Sequence, residues 1–250
     1  MRFDIITLFP ELIQPYLSVG INRRAFESLG GTPAQIEVHL WQLRDYAQGN
    51  YKRVDDRPFG GGPGMVMLAE PLTACLAAIK DARQATSSKA STSAIPAVLF
   101  SPIGQTIAQS VVETWADASG EFSEGAILIC GRYEGLDQRF IDAHVTHQLS
   151  LGDFVLSGGE IAATAFLDAI ARLQPGVLTD EQSHLQDSFN PSINGLLDCP
   201  HYTRPEVWNG VGVPEVLMSG NHAKIEAWRQ AQRLALTTKL RPDLLPQSKL

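Results

Sequence analysis

The chain carries Cys130-Gly131-Arg132-Tyr133-Glu134-Gly135 and, further along, Leu151-Gly152-Asp153-Phe154-Val155-Leu156-Ser157-Gly158-Gly159-Glu160, and these two stretches decide the fold. The first follows the short apolar run Ala126–Ile129, which predicts a buried strand. The second opens a predicted helix over Glu160–Leu173. Glycines at such junctions let another group approach the backbone closely.

A third loop at the end of a strand accompanies these two. Ala97–Phe100 is a predicted strand, and Ser101-Pro102-Ile103-Gly104 ends it. In an open α/β sheet, ligands bind beyond the carboxyl ends of the strands, where such loops gather. We therefore expect the three loops to form one pocket.

Strands and helices alternate along most of the chain. Further strands are predicted at Phe3–Leu8, Ile36–Leu43 and Val145–Leu149. Helical patterns separate them, including Pro71–Arg83 and Gln105–Ala116. This alternation predicts an α/β fold with a mostly parallel sheet covered by helices.

Composition excludes some classes of protein. The 250 residues are 44% hydrophobic and 19% charged, enough to bury a full core. No long apolar run predicts a membrane span, and we expect no signal peptide at the start. Three well-separated cysteines without a CxxC pair indicate reduced thiols and a cytoplasmic protein.

Charge does not identify a partner. The net charge of −7 argues against broad nucleic-acid binding, but from Glu206 onward six Lys/Arg face four Asp/Glu. A local basic face can still bind phosphates. The long polar loop Arg44–Gly64 contains the cations Lys52, Arg53 and Arg57 and ends in a glycine-rich run. This loop is either a flexible turn or a segment whose cations reach a phosphate backbone.

The end of the chain differs in composition. Residues 174–195 are polar and turn-rich, and we interpret them as an interdomain linker between a domain at 1–173 and a small helical domain at 196–250. In the latter, Ile225, Trp228, Ala231 and Ala235 predict an apolar stripe, with Arg229 and Arg233 on another face.

The pocket loops indicate a ligand class. They offer backbone N–H and C=O groups, apolar walls at Leu151, Phe154 and Leu156, and the acid Glu134. An apolar slot with backbone groups suits an adenosine-like ligand. Because a phosphate cradle and clustered lysines are missing, a nucleoside triphosphate fits less well than an adenosine carrying an amino acid or a cation.

Several longer motifs resemble the bacterial tRNA (guanine-N1)-methyltransferase family. They are Gly131–Gly135, Gly152–Glu160, Leu197-Asp198-Cys199-Pro200-His201-Tyr202-Thr203-Arg204-Pro205, Phe9-Pro10-Glu11, Arg57–Gly64, Ser101-Pro102 and Ser219-Gly220-Asn221-His222. The resemblance runs nearly end to end. It implies a knotted, SPOUT-type α/β domain with a deep C-terminal trefoil knot, an exception to the rule that chains avoid knots.

The resemblance also implies the activity. The family methylates N1 of the guanine directly 3′ of the anticodon in tRNA, uses S-adenosyl-L-methionine, and works as a homodimer with shared active sites. On this chain, the implied cofactor-binding residues are Phe100, Ser101, Pro102, Gly131, Tyr133, Glu134, Gly135, Leu151, Gly152, Phe154, Leu156, Gly158 and Gly159.

Two residues match the family's catalytic groups, Asp187 in Asp187-Ser188-Phe189 and Arg172 in Ala171-Arg172-Leu173. Guanine N1 carries a proton, which a carboxylate can remove as general base. A fixed cation can stabilise the negative charge that develops on O6. Taken from the sequence alone, Asp187 is an ordinary linker aspartate and Arg172 an ordinary cation at a helix end.

For tRNA binding we predict the cations Lys52, Arg53, Arg57, His201, Arg204, His222, Arg229 and Arg233. The family is linked to Mg²⁺, but no carboxylate cluster predicts a tight protein site. Cys199 and His201 form a poor zinc pattern, so we predict no protein metal site. A knotted ribose 2′-O-methyltransferase and a tRNA-binding module without turnover remain as alternatives.

Overall fold

The computed structural model describes residues 1–86, 95–180 and 183–246. The chain divides into two compact units, Met1–Thr179 and Asp180–Leu250.

The first unit alternates strands and helices. In chain order they are β1 (Arg2–Thr7), α1 (Gln14–Leu17), α2 (Arg23–Phe26), β2 (Glu37–Gln42), β3 (Asp55–Asp56), β4 (Val66–Met67), α3 (Ala69–Thr86), β5 (Ala97–Thr106), α4 (Gln109–Ala116), β6 (Gly125–Ile129), α5 (Gln138–His144), β7 (His147–Ser150) and α6 (Glu160–Arg172).

The central sheet has five strands in the order β2-β1-β6-β5-β7. Every pairing within it is parallel. β3 and β4 form a separate antiparallel pair. The predicted α/β class with a mostly parallel sheet is confirmed.

Hydrophobic cores lie on both faces of the sheet because strand side chains alternate between faces. Ala126 and Leu128 of β6 belong to one core, which includes buried residues of α4 and α6. Ile127 and Ile129 belong to the other, with buried residues of α3 and α5. Both faces of β6 are therefore covered, which explains why its sequence is continuously apolar.

The end of β5 differs from the prediction. Gln105 and Thr106 extend the strand by pairing with β7, so α4 begins at Gln109 and not at Gln105. The pairing register shifts between Phe100 and Gln105, and the intervening residues bulge out of the strand. Ladder hydrogen bonds outweighed local helical periodicity here.

The second unit contains short strands, helices and 3₁₀ turns. They are β8 (Val207–Trp208), β9 (Val211–Gly212), α7 (Glu215–Met218), α8 (His222–Leu240) and 3₁₀ turns at Ser183–Gln186, Pro191–Ile193 and Pro242–Leu244.

The buried face of α8 differs from the predicted stripe. Ala231 and Ala235 are exposed, whereas Arg233 and Thr237 are buried. Polar groups can occupy this face because each has partners. The Arg233 guanidinium pairs with Glu226 at 2.8 Å, and the Thr237 hydroxyl donates to the Arg233 carbonyl and accepts from the Leu197 amide.

Residues of the predicted linker occur in both units. Gln174 and Val177 are buried in the first, where the Gln174 side-chain amide donates to two backbone carbonyls. In the second, the amide of Phe189 donates to Leu196 O, and Asn190 is buried with its side chain hydrogen-bonded. The domain limits 1–173, 174–195 and 196–250 stay a prediction.

Among the helices in the described ranges, none has both the length and the apolarity needed to span a bilayer.

Candidate cofactor pocket and active-site residues

A cavity of about 440 Å³ opens at the carboxyl ends of β5, β6 and β7. The β5 bulge, the loop after β6 and the loop between β7 and α6 form its walls. These are the three loops predicted to gather there. Parallel strands bring them together because their carboxyl ends share one edge of the sheet.

The predicted cofactor-binding residues line this cavity, with one exception. Gly152 is not part of the wall; its φ of 152° allows a turn in which Ser150 Oγ and the Gly152 backbone hydrogen-bond. The other lining residues were not named individually in the prediction, although Ile103, Arg132, Val155 and Ser157 belong to the predicted loops. They are Leu99, Ile103, Arg132, Leu136, Gln138, Ile141, Gln148, Leu149, Ser150, Val155, Ser157 and Ala162.

The β5 bulge can lie against the neighbouring strand because it contains a glycine. A Cβ on Gly104 would come within 2.5 Å of the backbone of Gln148. Such a distance is well below van der Waals contact, so only glycine allows the bulge to fold back this closely.

The β3–β4 pair is hydrogen-bonded to the loop after β6. The Met67 amide donates to Gly135 O at 2.9 Å, and the Glu134 amide donates to Met65 O at 3.0 Å. The Glu134 side chain lies over Gly64, where a Cβ would be 2.3 Å from Oε1. The glycine-rich segment therefore abuts the cavity wall.

Tyr133 links the cavity wall to the polar loop. Its backbone has a φ of 59°. Partial burial raises the pKa of its phenol, and the Asp55 carboxylate adds to this effect while Arg44 opposes it. The phenol thus stays protonated and can donate a hydrogen bond.

An ion pair joins two walls of the cavity, and the sequence prediction missed it. Arg132 Nη2 lies 2.9 Å from Oε2 of Glu160, the buried first residue of α6. The only signal in the sequence was an arginine inside a glycine loop and an acid at a helix start. Neither indicates its partner, because the pair spans two loops.

The two predicted catalytic residues belong to different units. Arg172 is half-buried and is the last residue of α6. Asp187 is half-buried in the second unit, where its amide donates to His184 O and its carbonyl accepts from Asn190 N. Arg172 does not line the cavity.

Three predicted tRNA-binding cations lie in the polar loop of the first unit. Lys52 pairs with Asp45 at 3.2 Å and Arg53 with Asp56 at 3.1 Å, both on the surface. Arg57 is also exposed. Exposed ion pairs contribute little energy, so these cations can exchange their partners for phosphates.

The other predicted tRNA-binding residues lie in the second unit. His201, Arg204 and His222 are exposed, and Arg229 is half-buried. Arg233 differs from them because its side chain is only 2% exposed and its charge is compensated by Glu226. A buried, paired guanidinium offers little to an RNA backbone, so the geometry favours a structural role for Arg233.

Ligand atoms of Asp198, Cys199 and His201 lie within 4.8 Å of one another. Burial disfavours ionisation of Asp198, but the Cys199 amide and the His201 ring outweigh it and lower the pKa of the carboxyl. Burial also raises the pKa of the Cys199 thiol, which disfavours the thiolate that a metal needs. That these residues hold no metal stays a prediction.

Comparison with known proteins identifies the family. The family described as "tRNA (Guanine-1)-methyltransferase TrmD" matches residues 1–247. Proteins named "tRNA (guanine-N(1)-)-methyltransferase" are 64% identical in Albidiferax ferrireducens (100% of this chain and 93% of the relative) and 60% identical in a Polaromonas species (100% and 91%). A relative with this name in Stenotrophomonas maltophilia is 50% identical (100% and 92%). The chain belongs to the tRNA (guanine-N1)-methyltransferase family.

Proposed function

We propose that the chain methylates N1 of the guanine directly 3′ of the anticodon in tRNA, with S-adenosyl-L-methionine as methyl donor. The main support is the family match over residues 1–247, together with a cavity built from the three loops that the resemblance implicates. We also propose the knot and the small helical tRNA-binding domain on the family resemblance, and the cytoplasmic location on the three well-separated cysteines.

The cavity has the chemical character that the donor requires. Its volume of about 440 Å³ is in the range of small-molecule sites. Apolar side chains such as Leu151 and Leu156 can enclose an adenine ring, while loop backbone groups can read its edge. When bound, S-adenosylmethionine supplies a methyl group on a sulfonium. Glu134, which lines the cavity, would support that positive charge.

Mg²⁺ finds no complete protein site at this cavity. Within the described ranges, Glu134 is the one carboxylate on the cavity wall. Mg²⁺ needs near-octahedral oxygen ligation, and one carboxylate does not provide it. We therefore assign no step to a protein-held metal.

Residues of the chain would remove the guanine proton, stabilise the developing charge and bind the tRNA. Asp187 accepts the N1 proton of guanine as general base. Arg172 stabilises the charge that develops on O6. Lys52, Arg53 and Arg57 bind tRNA phosphates, and the exposed cations of the second unit extend that contact to the rest of the tRNA.

The position of Arg172 supports a homodimer with shared active sites. The helix α6 begins at the cavity and ends at Arg172, so with a rise of 1.5 Å per residue the two ends are about 18 Å apart. That distance exceeds the reach of an arginine side chain. A second protomer that brings its own Arg172 to the cavity would complete the site.

A methyl-transfer assay on defined tRNA transcripts, followed by mapping of the modified base, tests the proposal. We expect N1-methylguanine with wild-type protein and no transfer when adenine replaces the target guanine. Methyl on a ribose would instead indicate a 2′-O-methyltransferase. Cofactor binding with no transfer to any tRNA would indicate a binding module.

The role of Asp187 is tested by Asp187→Asn. We expect a loss of roughly 10²- to 10⁴-fold in turnover, because general-base catalysis contributes about that much, with S-adenosylmethionine affinity unchanged. The exposed Glu121→Gln serves as the charge-matched control. Near-normal turnover of Asp187→Asn would remove this residue as the base.

A further inference from the structure

A buried set of three side chains joins two walls of the cavity to the end of β1. Glu160 is 1% exposed, and its Oε1 accepts a hydrogen bond from Thr7 Oγ1 at 2.7 Å. Its Oε2 lies 2.9 Å from Arg132 Nη2. We call Thr7, Glu160 and Arg132 the loop clamp.

Arg132 reaches from its own loop to the loop between β7 and α6. Its Nη1 donates to Ser157 O at 3.2 Å, and its guanidinium lies 4.5 Å above the ring of Phe9. The amide of Phe9 in turn donates to Thr7 Oγ1. One side chain thus contacts the loop between β7 and α6, the start of α6 and the segment after β1.

The backbones of the two loops are in direct contact. The Gly159 amide donates to Gly131 O at 3.0 Å, and Arg132 and Gly158 form an isolated antiparallel bridge. A Cβ on Gly158 would lie 2.2 Å from Arg132 Nε. The Arg132 side chain therefore packs directly against the backbone of the other loop at Gly158.

The clamp is poorly arranged for stability alone. Within the described ranges, Arg132 Nε and Glu160 Oε2 form no hydrogen bond, although both are buried. The 2.9 Å contact is thus a charge pair without good hydrogen-bond alignment. A buried ion pair often stabilises a fold no better than apolar residues of similar size. What an ion pair does here that apolar residues could not do is hold the Arg132 guanidinium, on the loop after β6, and the Glu160 carboxylate, at the start of α6, at a fixed separation.

We propose that Thr7, Glu160 and Arg132 are positioning residues that fix the separation of the two loops and thereby preorganise the cofactor slot. This inference rests on the proposed function of the cavity. Glu160 does not line the cavity, and no clamp residue is assigned to the proton or to the methyl group. The clamp therefore acts on cofactor affinity and not on the chemical step.

Glu160→Gln removes the charge and keeps the shape and the acceptor for Thr7. We expect the Kd and KM for S-adenosylmethionine to rise roughly 10- to 100-fold, as for the loss of a strongly coupled buried pair. At saturating cofactor, kcat should stay within about threefold of wild type, and the KM for tRNA should not change. Calorimetry and steady-state kinetics on the full chain measure these values.

A double-mutant cycle separates positioning from general destabilisation. Arg132→Met should weaken cofactor binding, and the double variant with Glu160→Gln should lose less than the product of the two single effects, because no unpaired charge remains. Arg139→Met, which breaks an exposed ion pair with Asp137, should leave cofactor binding unchanged. Losses that multiply independently would overturn the clamp.

Thr7→Val covers the case in which Glu160→Gln does not fold, and we expect it to weaken cofactor binding about 3- to 10-fold. A lower Tm or kcat with unchanged cofactor Kd, in either variant, would show that the contact is only structural and would overturn the proposal. Wild-type protein that binds no S-adenosylmethionine would instead overturn the proposed function, and the clamp with it.

Discussion

Replacing Gly159 by alanine should open the cofactor pocket by a distance that the structure defines. Gly159 precedes α6 and has φ −79° and ψ −8°, so alanine is allowed by its backbone conformation. The added Cβ would lie 2.7 Å from the Cα of Cys130 and 3.2 Å from the amide nitrogen of Gly131. Ordinary contact begins at 3.4 Å, so the two backbones must separate by about 0.7 Å.

Neither backbone can move freely. Cys130 is 1% exposed, and its amide donates to Ile6 O in β1. The helix start is packed through the buried residues Ala162 and Ala163. Overpacking of a tight contact costs about 1–3 kcal/mol, which for a chain of this size corresponds to a decrease in Tm of roughly 2–10 °C.

The same shift should weaken cofactor binding, because Gly131 and Gly159 both line the cavity and belong to two different loops of its wall. We expect the Kd for S-adenosylmethionine in calorimetry to rise at least about tenfold, since contacts of a preorganised slot are lost together. Gly212→Ala is the control: its Cβ meets nothing within 4 Å. A Gly159→Ala protein with wild-type Tm and wild-type Kd would refute this reasoning.

Three further predictions concern stability and reactivity. Asp4→Asn should lower the free energy of unfolding by about 3–5 kcal/mol in urea titrations, because Arg2, Arg83 and the Trp41 indole N–H lose a fully buried carboxylate partner. The control, Asp56→Asn at an exposed position, should change the free energy of unfolding little. A loss below about 1 kcal/mol for Asp4→Asn would contradict this. Thiol reagents at neutral pH should modify no cysteine until the protein is unfolded, because burial raises the pKa of all three thiols. Rapid labelling of the native protein would contradict this prediction. Hydrogen bonds from Arg139 lower the pKa of Asp137 to about 2, and the Asp137 carboxylate caps the N-terminus of α5 by accepting from the Arg139 amide. This cap should stabilise the fold above about pH 4, and its contribution should be lost as the pH falls towards 2. Asp137→Ala should therefore cost about 1 kcal/mol at pH 7 and less at pH 2, and an equal cost at both would refute the assignment.

Local pattern predicted the strands of the sheet well. The apolar run Ala126–Ile129 predicts a buried strand, and β6 runs over Gly125–Ile129. In the predicted helix Pro71–Arg83, Leu72, Leu76 and Ile79 lie three or four residues apart, and all three are buried in α3. Such features depend on short-range periodicity and on a run of apolar residues, which sequence alone displays.

The predictions were wrong at positions where contacts between distant parts of the chain determine the structure. Pairing with β7 keeps Gln105 and Thr106 in β5. On α8, Arg233 occupies the buried face because Glu226 compensates its charge, and hydrophobicity alone assigned that face to alanines. In each case a partner distant in the fold, or a charge pair, outweighs the residue's own preference.

The sequence by itself determined the alternation of strands and helices, the three loops after strands and, through long motifs, the family. Only the tertiary structure decided which groups meet: the 64–67 segment against Glu134 and Gly135, and Arg132 against Glu160. The reason is physical. Backbone periodicity is set by neighbours in the chain, whereas a contact between loops depends on the order of the strands, which no local pattern encodes.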